Sequence, residues 1–118
     1  MAMEKLKEAV EKAVMDELQR ANASFPLFNS KHEGYAVIKE ELEETREALD
    51  TLESSVAVLW ENVREKQVPS FITDFNTTED MHAQAVAVAA EAIQTAAMIL
   101  KYDLSLADKA ENGGKGNE

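Results

Sequence analysis

The 118-residue chain contains no cysteine, which excludes disulfide frameworks, thiolate zinc sites and cysteine nucleophiles. It has only 4 glycines, three of them in the last six residues, which cannot supply a glycine-rich phosphate loop, and only 2 prolines. Basic residues are also scarce: 12 Lys and Arg stand against 23 Asp and Glu, a formal net charge of −11. Because that charge repels a phosphate backbone, non-specific binding of nucleic-acid polymers is excluded.

The first residues contain no apolar run of the signal-peptide type. Residues 81–100 are the most apolar stretch and have about the length of a membrane span, but they are mostly alanine and include Glu91 and Gln94. We therefore expect a buried helix of a cytoplasmic protein here, with no membrane partner.

Apolar residues recur every three or four positions in two segments, which predicts two amphipathic helices over residues 3–22 and 32–66. Ser30 and Glu33 form a capping-box pattern ahead of the second. A straight helix over 32–66 would be about 52 Å long, more than the roughly 35 Å diameter of a domain this size. Either it breaks near Leu52–Ser55, or a second subunit covers its heptad-like stripe, which comprises Tyr35, Ile38, Leu42, Leu49, Leu52, Val56, Leu59 and Val63.

A third helix is predicted over residues 79–105, with Thr77 or Thr78 as its N-cap. This segment is apolar nearly all round, as expected of the central helix of a bundle. Phe25 and Phe28 are expected to pin the first connector to the core. The predicted fold is an all-α bundle of three long helices, or four if the middle one breaks, forming one domain over 1–107 with a disordered tail over 108–118. Self-association as a homodimer or homotetramer is expected.

Two polar clusters border these apolar stripes. Glu91 and Gln94 lie three residues apart on the most apolar helix, and no Lys or Arg occurs between 67 and 100. Glu91 must therefore bind a metal or reach water at the bundle edge. Glu41 and Glu44 form a similar pair within the segment Glu40-Glu41-Leu42-Glu43-Glu44. The alternative interpretation of this segment is an acidic helix face that is exposed to solvent. Two such pairs on two helices suit a divalent cation.

The donor types indicate which cation. Carboxylate and amide oxygens are hard ligands that Mg²⁺ prefers. Neither His32 nor His82 has an acidic residue three positions before it, so the Glu-x-x-His spacing of di-iron bundles is absent. We therefore expect Mg²⁺ or Mn²⁺ in preference to iron or zinc.

These residues resemble the all-α nucleoside triphosphate pyrophosphohydrolases of MazG type, which carry EExxE on one helix and ExxD on a later one. Glu40-Glu41-Leu42-Glu43-Glu44 matches the first motif, and Glu91-Ala92-Ile93-Gln94 matches three of the four positions of the second. Further phrases over residues 25–105 are similar to small members of phages and prophages: Phe25-Pro26-Leu27-Phe28, His32-Glu33-Gly34-Tyr35-Ala36, Leu59-Trp60 and Glu91 to Met98.

The resemblance implies hydrolysis of an NTP or dNTP to NMP and pyrophosphate. It assigns the catalytic motifs to Glu40, Glu41, Glu44 and Glu91, and the Mg²⁺ ligands to Glu41, Glu44, Glu91 and Gln94. Gln94 departs from the family's Asp and removes one negative charge. The alternatives are a non-catalytic helical oligomer of phage origin that keeps the fold, and an acidic protein-interaction module.

Other candidate residues have two interpretations each. Trp60 either stacks on a base or packs in the core, and His32 either contacts substrate or caps a helical turn. Lys39, Arg64 and Lys101 either meet phosphates or balance nearby acids as solvated charges.

Overall fold

The computed structural model describes residues 2–24, 27–64 and 76–113, and the regular structure in these ranges is entirely helical. The helices are α1, Ala2–Ser24; α2, Lys31–Val63; and α3, Thr78–Gly113. No strand occurs in the described ranges, so the prediction of an all-α fold with three long helices is confirmed.

The two predicted N-caps are present as hydrogen bonds. The Glu33 backbone N–H donates to Ser30 Oγ at 3.0 Å, and the Glu33 carboxylate accepts from the Asn29 N–H. At α3 the Asp80 N–H donates to Thr77 Oγ1 and the Thr77 N–H donates to Asp80 Oδ2, both at 3.1 Å. Ser30 Oγ and Thr77 Oγ1 therefore each accept from a first-turn amide that has no intrahelical partner.

Helix α2 runs for 33 residues without a break, so the four-helix alternative is not observed in the described ranges. Ser54 and Ser55 stay helical because neither residue forces a non-helical backbone and no glycine or proline lies nearby. Ser55 is buried, and its carbonyl accepts a hydrogen bond from Asn76 Nδ2 at 3.0 Å.

Helix α3 ends later than predicted. It continues from the expected end near 105 to Gly113, so residues 108–113 of the expected tail are helical. Contacts at and beyond the expected end explain the difference: Ser105 is buried, and the Lys109 ammonium donates to the Asn29 carbonyl. The first glycine of α3 is Gly113 itself, where a helix commonly terminates. Phe25, the connector over 65–75 and residues 114–118 lie outside the described residues.

The chain divides into two units. The first unit comprises residues 1–42 and 92–118 and contains α1, the beginning of α2 and the part of α3 from Ala92 onward. Its buried cluster is Val14, Leu18 and Ala97, and Ala97 is fully buried. Alanine at the centre of the contact lets helices approach closely. The cluster is extended by half-buried side chains of α3, namely Ile93, Ala96 and Met98.

The connector before α2 is also held within the first unit. Phe28 is buried as predicted, and its backbone N–H donates to Ser105 Oγ at 2.9 Å. Ser105 Oγ in turn donates to the Lys101 carbonyl at 2.8 Å. Gly34 lies so close to Tyr102 that an added Cβ would overlap the ring, 2.7 Å from Cε1. Glycine is therefore required here for close approach rather than for an unusual backbone angle.

The second unit comprises residues 43–91, which include the rest of α2 and the first half of α3. Among its described residues only Ser55 is buried, and no apolar side chain is. Several side chains of this unit are half-buried. They include Ala48, Leu52 and Val58 on α2 and Met81, Gln84 and Val88 on α3.

The expectation that α3 is buried as a central helix is wrong for the single chain. Val86 is 54% exposed, Ile99 and Leu100 are also exposed, and only 6% of the most apolar window of this helix is buried. Few apolar groups within the chain cover so long a helix. By length and composition Thr78–Ala110 is one candidate membrane span among the described residues, and a single such helix is weak evidence for a membrane.

Candidate metal centre

Three carboxylates on helices α2 and α3 come together. Glu44 and Glu91 both belong to the second unit, and Glu41 precedes Glu44 by one turn of the same uninterrupted helix. Each residue offers one carboxylate oxygen, and these oxygens all lie within 4.8 Å of one another. The i,i+3 spacing places Glu41 and Glu44 on neighbouring surface positions of α2, as the sequence predicts.

The donor set fits a hard divalent cation. Octahedral Mg²⁺ holds oxygens at about 2.0–2.1 Å, so its ligand oxygens are at most about 4 Å apart. Small side-chain rotations therefore suffice to bring the three Glu oxygens onto one ion. Three carboxylates at this separation repel one another, and a divalent cation offsets that repulsion. The geometry is thus suited to a divalent ion, and it does not distinguish Mg²⁺ from Mn²⁺.

The three carboxylates differ in exposure. Glu44 is exposed, whereas Glu41 and Glu91 are half-buried, and the Oε2 atom of each of these two is shielded from solvent. The interpretation of Glu40 to Glu44 as a wholly solvated acidic face therefore fails at Glu41. A partly dehydrated carboxylate pair with one exposed ligand leaves room for a metal to retain water molecules.

Glu40 and Gln94, the other two predicted site residues, are placed differently. Glu40 is exposed and does not belong to the carboxylate cluster. Gln94 is half-buried and lines a pocket together with Glu41, both within the first unit. Gln94 follows Glu91 by one turn of α3, so the predicted pair shares a helix face.

The pocket in the first unit has a volume of about 400 Å³, within the range of small-molecule sites. Its lining combines apolar and polar side chains. Leu27, Phe28, Val37 and Met98 are among the apolar ones. Glu41 and Gln94 are among the polar ones, so one of the clustered carboxylates also borders a cavity large enough for a ligand.

Two cations line the same pocket, Lys101 and Arg20. Lys101 is only 4% exposed, so the expectation of a solvated charge is wrong; its ammonium lies 5.0 Å from the centroid of the Phe28 ring, a cation–π geometry. Arg20 forms a hydrogen-bonded ion pair with Glu17, and that hydrogen bond raises the pKa of the exposed Arg20 guanidinium above its usual value.

The remaining candidates lie elsewhere. Trp60 is 56% exposed, so the prediction of core packing is wrong within the single chain; its ring lies 5.7 Å from the Arg64 guanidinium. Arg64 also pairs with Glu61 at 3.8 Å. His32 is exposed at the first turn of α2, and Lys39 is exposed on the same helix.

Sequence reasoning missed Arg20 and Glu17 as residues of the pocket. They lie near the end of α1, outside the segments that carried the acidic motifs. The available signal was the single Arg of α1, placed beside its apolar stripe one turn before the connector that contains Phe28.

Comparisons of the chain with protein-family models, with curated proteins and with solved structures found no match in any of the three.

Proposed function

We propose that this protein is a divalent-metal-dependent nucleoside triphosphate pyrophosphohydrolase. One observation carries the proposal: Glu41, Glu44 and Glu91 cluster within 4.8 Å, and Glu41 also lines the pocket of about 400 Å³. The resemblance to the MazG-type family supports the reaction class, because the same three residues fall on its two acidic motifs.

In this proposal Glu41, Glu44 and Glu91 hold Mg²⁺ or Mn²⁺, and the amide oxygen of Gln94 adds a neutral ligand. A metal held by these residues would neutralise phosphate charge and would make a bound water more acidic. Water oxygen bonds to the α-phosphorus, the bond from that phosphorus to the bridging oxygen breaks, and pyrophosphate leaves with the bridging oxygen. The proton of the attacking water passes to solvent or to a carboxylate.

The pocket offers groups suited to the rest of such a substrate. Lys101 and Arg20 carry the positive charge that a triphosphate needs in a chain of net charge −11. Phe28 and Met98 present apolar surface on which a base can lie. These assignments predict that substrate binding weakens when either cation is neutralised.

The test is pyrophosphate release from a panel of NTPs and dNTPs with Mg²⁺ or Mn²⁺. We expect turnover by the wild-type chain and its loss in Glu91→Gln, which removes one anionic ligand at unchanged size. Glu47→Gln is the matched control, because Glu47 is exposed on α2 and outside the cluster. No turnover of any nucleotide, together with no metal effect on melting, would refute the proposal.

Gln94→Asp supplies a second, independent readout. Without metal we expect it to destabilise the fold, because it adds an acid near an acidic cluster. With metal at a hundredfold excess over Kd, linkage should restore about 2.7 kcal/mol. If Glu91 and Gln94 merely face solvent, both substitutions should change stability by less than about 0.5 kcal/mol with no dependence on metal.

The second candidate function is a non-catalytic helical oligomer that keeps the fold. Gln94 favours this candidate, because the amide leaves the site with one charge fewer than the family's motif. This candidate function predicts that the wild-type chain binds metal but does not turn over nucleotides. If the Gln94→Asp variant then gains turnover, the missing charge at position 94 is the only defect of the site.

A further inference from the structure

Helix α2 carries a row of exposed apolar side chains with a strict seven-residue spacing. The row consists of Tyr35, Leu42, Leu49, Val56 and Val63, and all five are exposed. At 1.5 Å per residue it extends for about 42 Å along one continuous helix. Single exposed apolar residues are ordinary, but a heptad row of this length is the sequence pattern of a helix–helix seam.

This row is distinct from the face that α2 buries within the chain. Glu41, Ala48 and Ser55, which are also seven residues apart, are half-buried or buried, whereas Leu42, Leu49 and Val56, one position later, are exposed. The helix therefore presents two apolar faces, of which the chain covers only one. In the second unit no described apolar side chain is buried at all, so intrachain packing there leaves the second face exposed.

The charges beside the row indicate which molecule covers it. Arg46 and Glu53 lie four residues after Leu42 and Leu49, on the same flank of the row, and both are exposed. Leu49 is the midpoint of the row. Arg46 precedes it by three residues and Glu53 follows it by four, so a two-fold axis at Leu49 places Arg46 level with Glu53 of a second copy to within about 1.5 Å.

We propose that two copies of this chain associate through the α2 rows in antiparallel orientation about a two-fold axis at Leu49. Leu49 then packs on Leu49 of the second copy, and Leu42 packs on Val56 of the second copy. Arg46 meets Glu53 of the second copy on both sides of the axis, an isologous interface. A parallel pair lacks this contact, because the same flank of the two copies then lies on opposite sides of the seam.

The proposal is independent of the proposed hydrolase activity, since none of its residues belongs to the carboxylate cluster or the pocket. Other occupants of the row, a different protein or a lipid surface, remain as outcomes of the test. The row itself is uncharged, and the opposed charges on its flank match another copy of the same helix, which favours self-association.

The first experiment measures the mass of the full chain by sedimentation equilibrium over micromolar to submillimolar concentrations. We expect a reversible dimer that Leu49→Glu dissociates, because it places two carboxylates against each other on the axis. Ser54→Glu is the matched control: it adds the same charge to an exposed position on another face of α2 and should leave the dimer intact. Helix content by circular dichroism confirms that both variants fold.

A charge exchange tests the orientation. Arg46→Glu alone and Glu53→Arg alone should each weaken the dimer by about tenfold or more, because each creates two like-charge contacts. The double variant Arg46→Glu/Glu53→Arg should recover wild-type association, since the exchanged charges face each other again. These two positions lie seven residues apart on one helix, so recovery cannot come from contact within a chain.

Three results would overturn the proposal. One is a monomer at all concentrations. If that monomer binds lipid vesicles, the row is assigned to a membrane; if it does not, the row is assigned to a different protein partner. Another is a dimer that Leu49→Glu leaves unchanged. The third is a double variant that associates as weakly as the single variants, which would exclude the antiparallel contact.

Discussion

The first and second units use the same kind of helix start but differ in what holds the helices together. In the first unit Leu18 and Ala97 are buried, and the Phe28 backbone is tied to Ser105 on α3. In the second unit a corresponding tie is the hydrogen bond from Asn76 to the Ser55 carbonyl, and no described apolar side chain is buried. Capping is therefore shared between the units, whereas a buried core is confined to one.

This difference separates helix formation from helix packing. Caps and regular apolar spacing determine where a helix starts and which face it offers, but most helical stability in proteins comes from packing of that face. The second unit has the signals for helices and little intrachain packing to stabilise them. We therefore expect it to open locally at lower free energy than the first unit. The predictions below test this contrast, starting with the largest expected effect.

The first prediction concerns the core of the first unit. Leu18→Ala should lower the free energy of unfolding by about 2–5 kcal/mol, because it removes a buried side chain beside the fully buried Ala97. Urea denaturation followed by circular dichroism measures this loss. Val86→Ala is the control in the second unit, where an exposed side chain should change stability by less than about 0.5 kcal/mol in the single chain. Equal losses in the two variants would contradict the contrast.

The second prediction concerns the close approach at Gly34. Gly34→Ala should cost about 1–3 kcal/mol, because the added Cβ overlaps the Tyr102 ring and lies 3.1 Å from Phe28 Cδ2. The same denaturation experiment measures the loss. In a Tyr102→Ala background the substitution should cost much less, since the overlapping ring is gone, and a double-mutant cycle gives the coupling directly. Absence of coupling would show that Gly34 matters for another reason.

The helices were largely predictable from the sequence because their signals are local. Ser30, Glu33 and Thr77 mark helix starts by chemistry that acts within one turn. Ser30 and Thr77 accept the expected hydrogen bonds, and Glu33 accepts one from the Asn29 N–H, one residue before the N-cap. The end of α3 was not predictable, since Ser105 and Lys109 are held by contacts with Phe28 and Asn29, far away in the chain. The burial of α3 was overestimated because composition reports how apolar a helix is, and not what covers it.

The carboxylate cluster was predictable for a similar reason. The i,i+3 spacing predicts that Glu41 and Glu44 are neighbours, and α3 then needs only to bring Glu91 alongside. The pocket was harder to predict, because Arg20 and Lys101 reach it from distant parts of the chain. Lys101 in particular has no local signal for burial, since its partner ring, Phe28, is a tertiary neighbour. The metal, its substrate and the oligomeric state stay predictions.

The third and smallest prediction compares the same cap in the two units. Thr77→Ala should lower stability by about 1 kcal/mol, because it leaves the Asp80 N–H without its side-chain acceptor. The loss should be local: native-state hydrogen exchange should speed up about fivefold or more in the first half of α3, around Gln84 and Val88, and stay unchanged at Ala97 in the first unit. Thr78→Ala is the matched control, since Thr78 is exposed and follows the cap, and should leave exchange nearly unchanged.

Ser30→Ala removes the equivalent cap in the first unit, where the packed core resists local opening, so its amides should exchange mainly through unfolding of that whole unit. If Thr77→Ala accelerates exchange equally around Val14 and around Val88, the two units unfold together and the contrast between them does not hold.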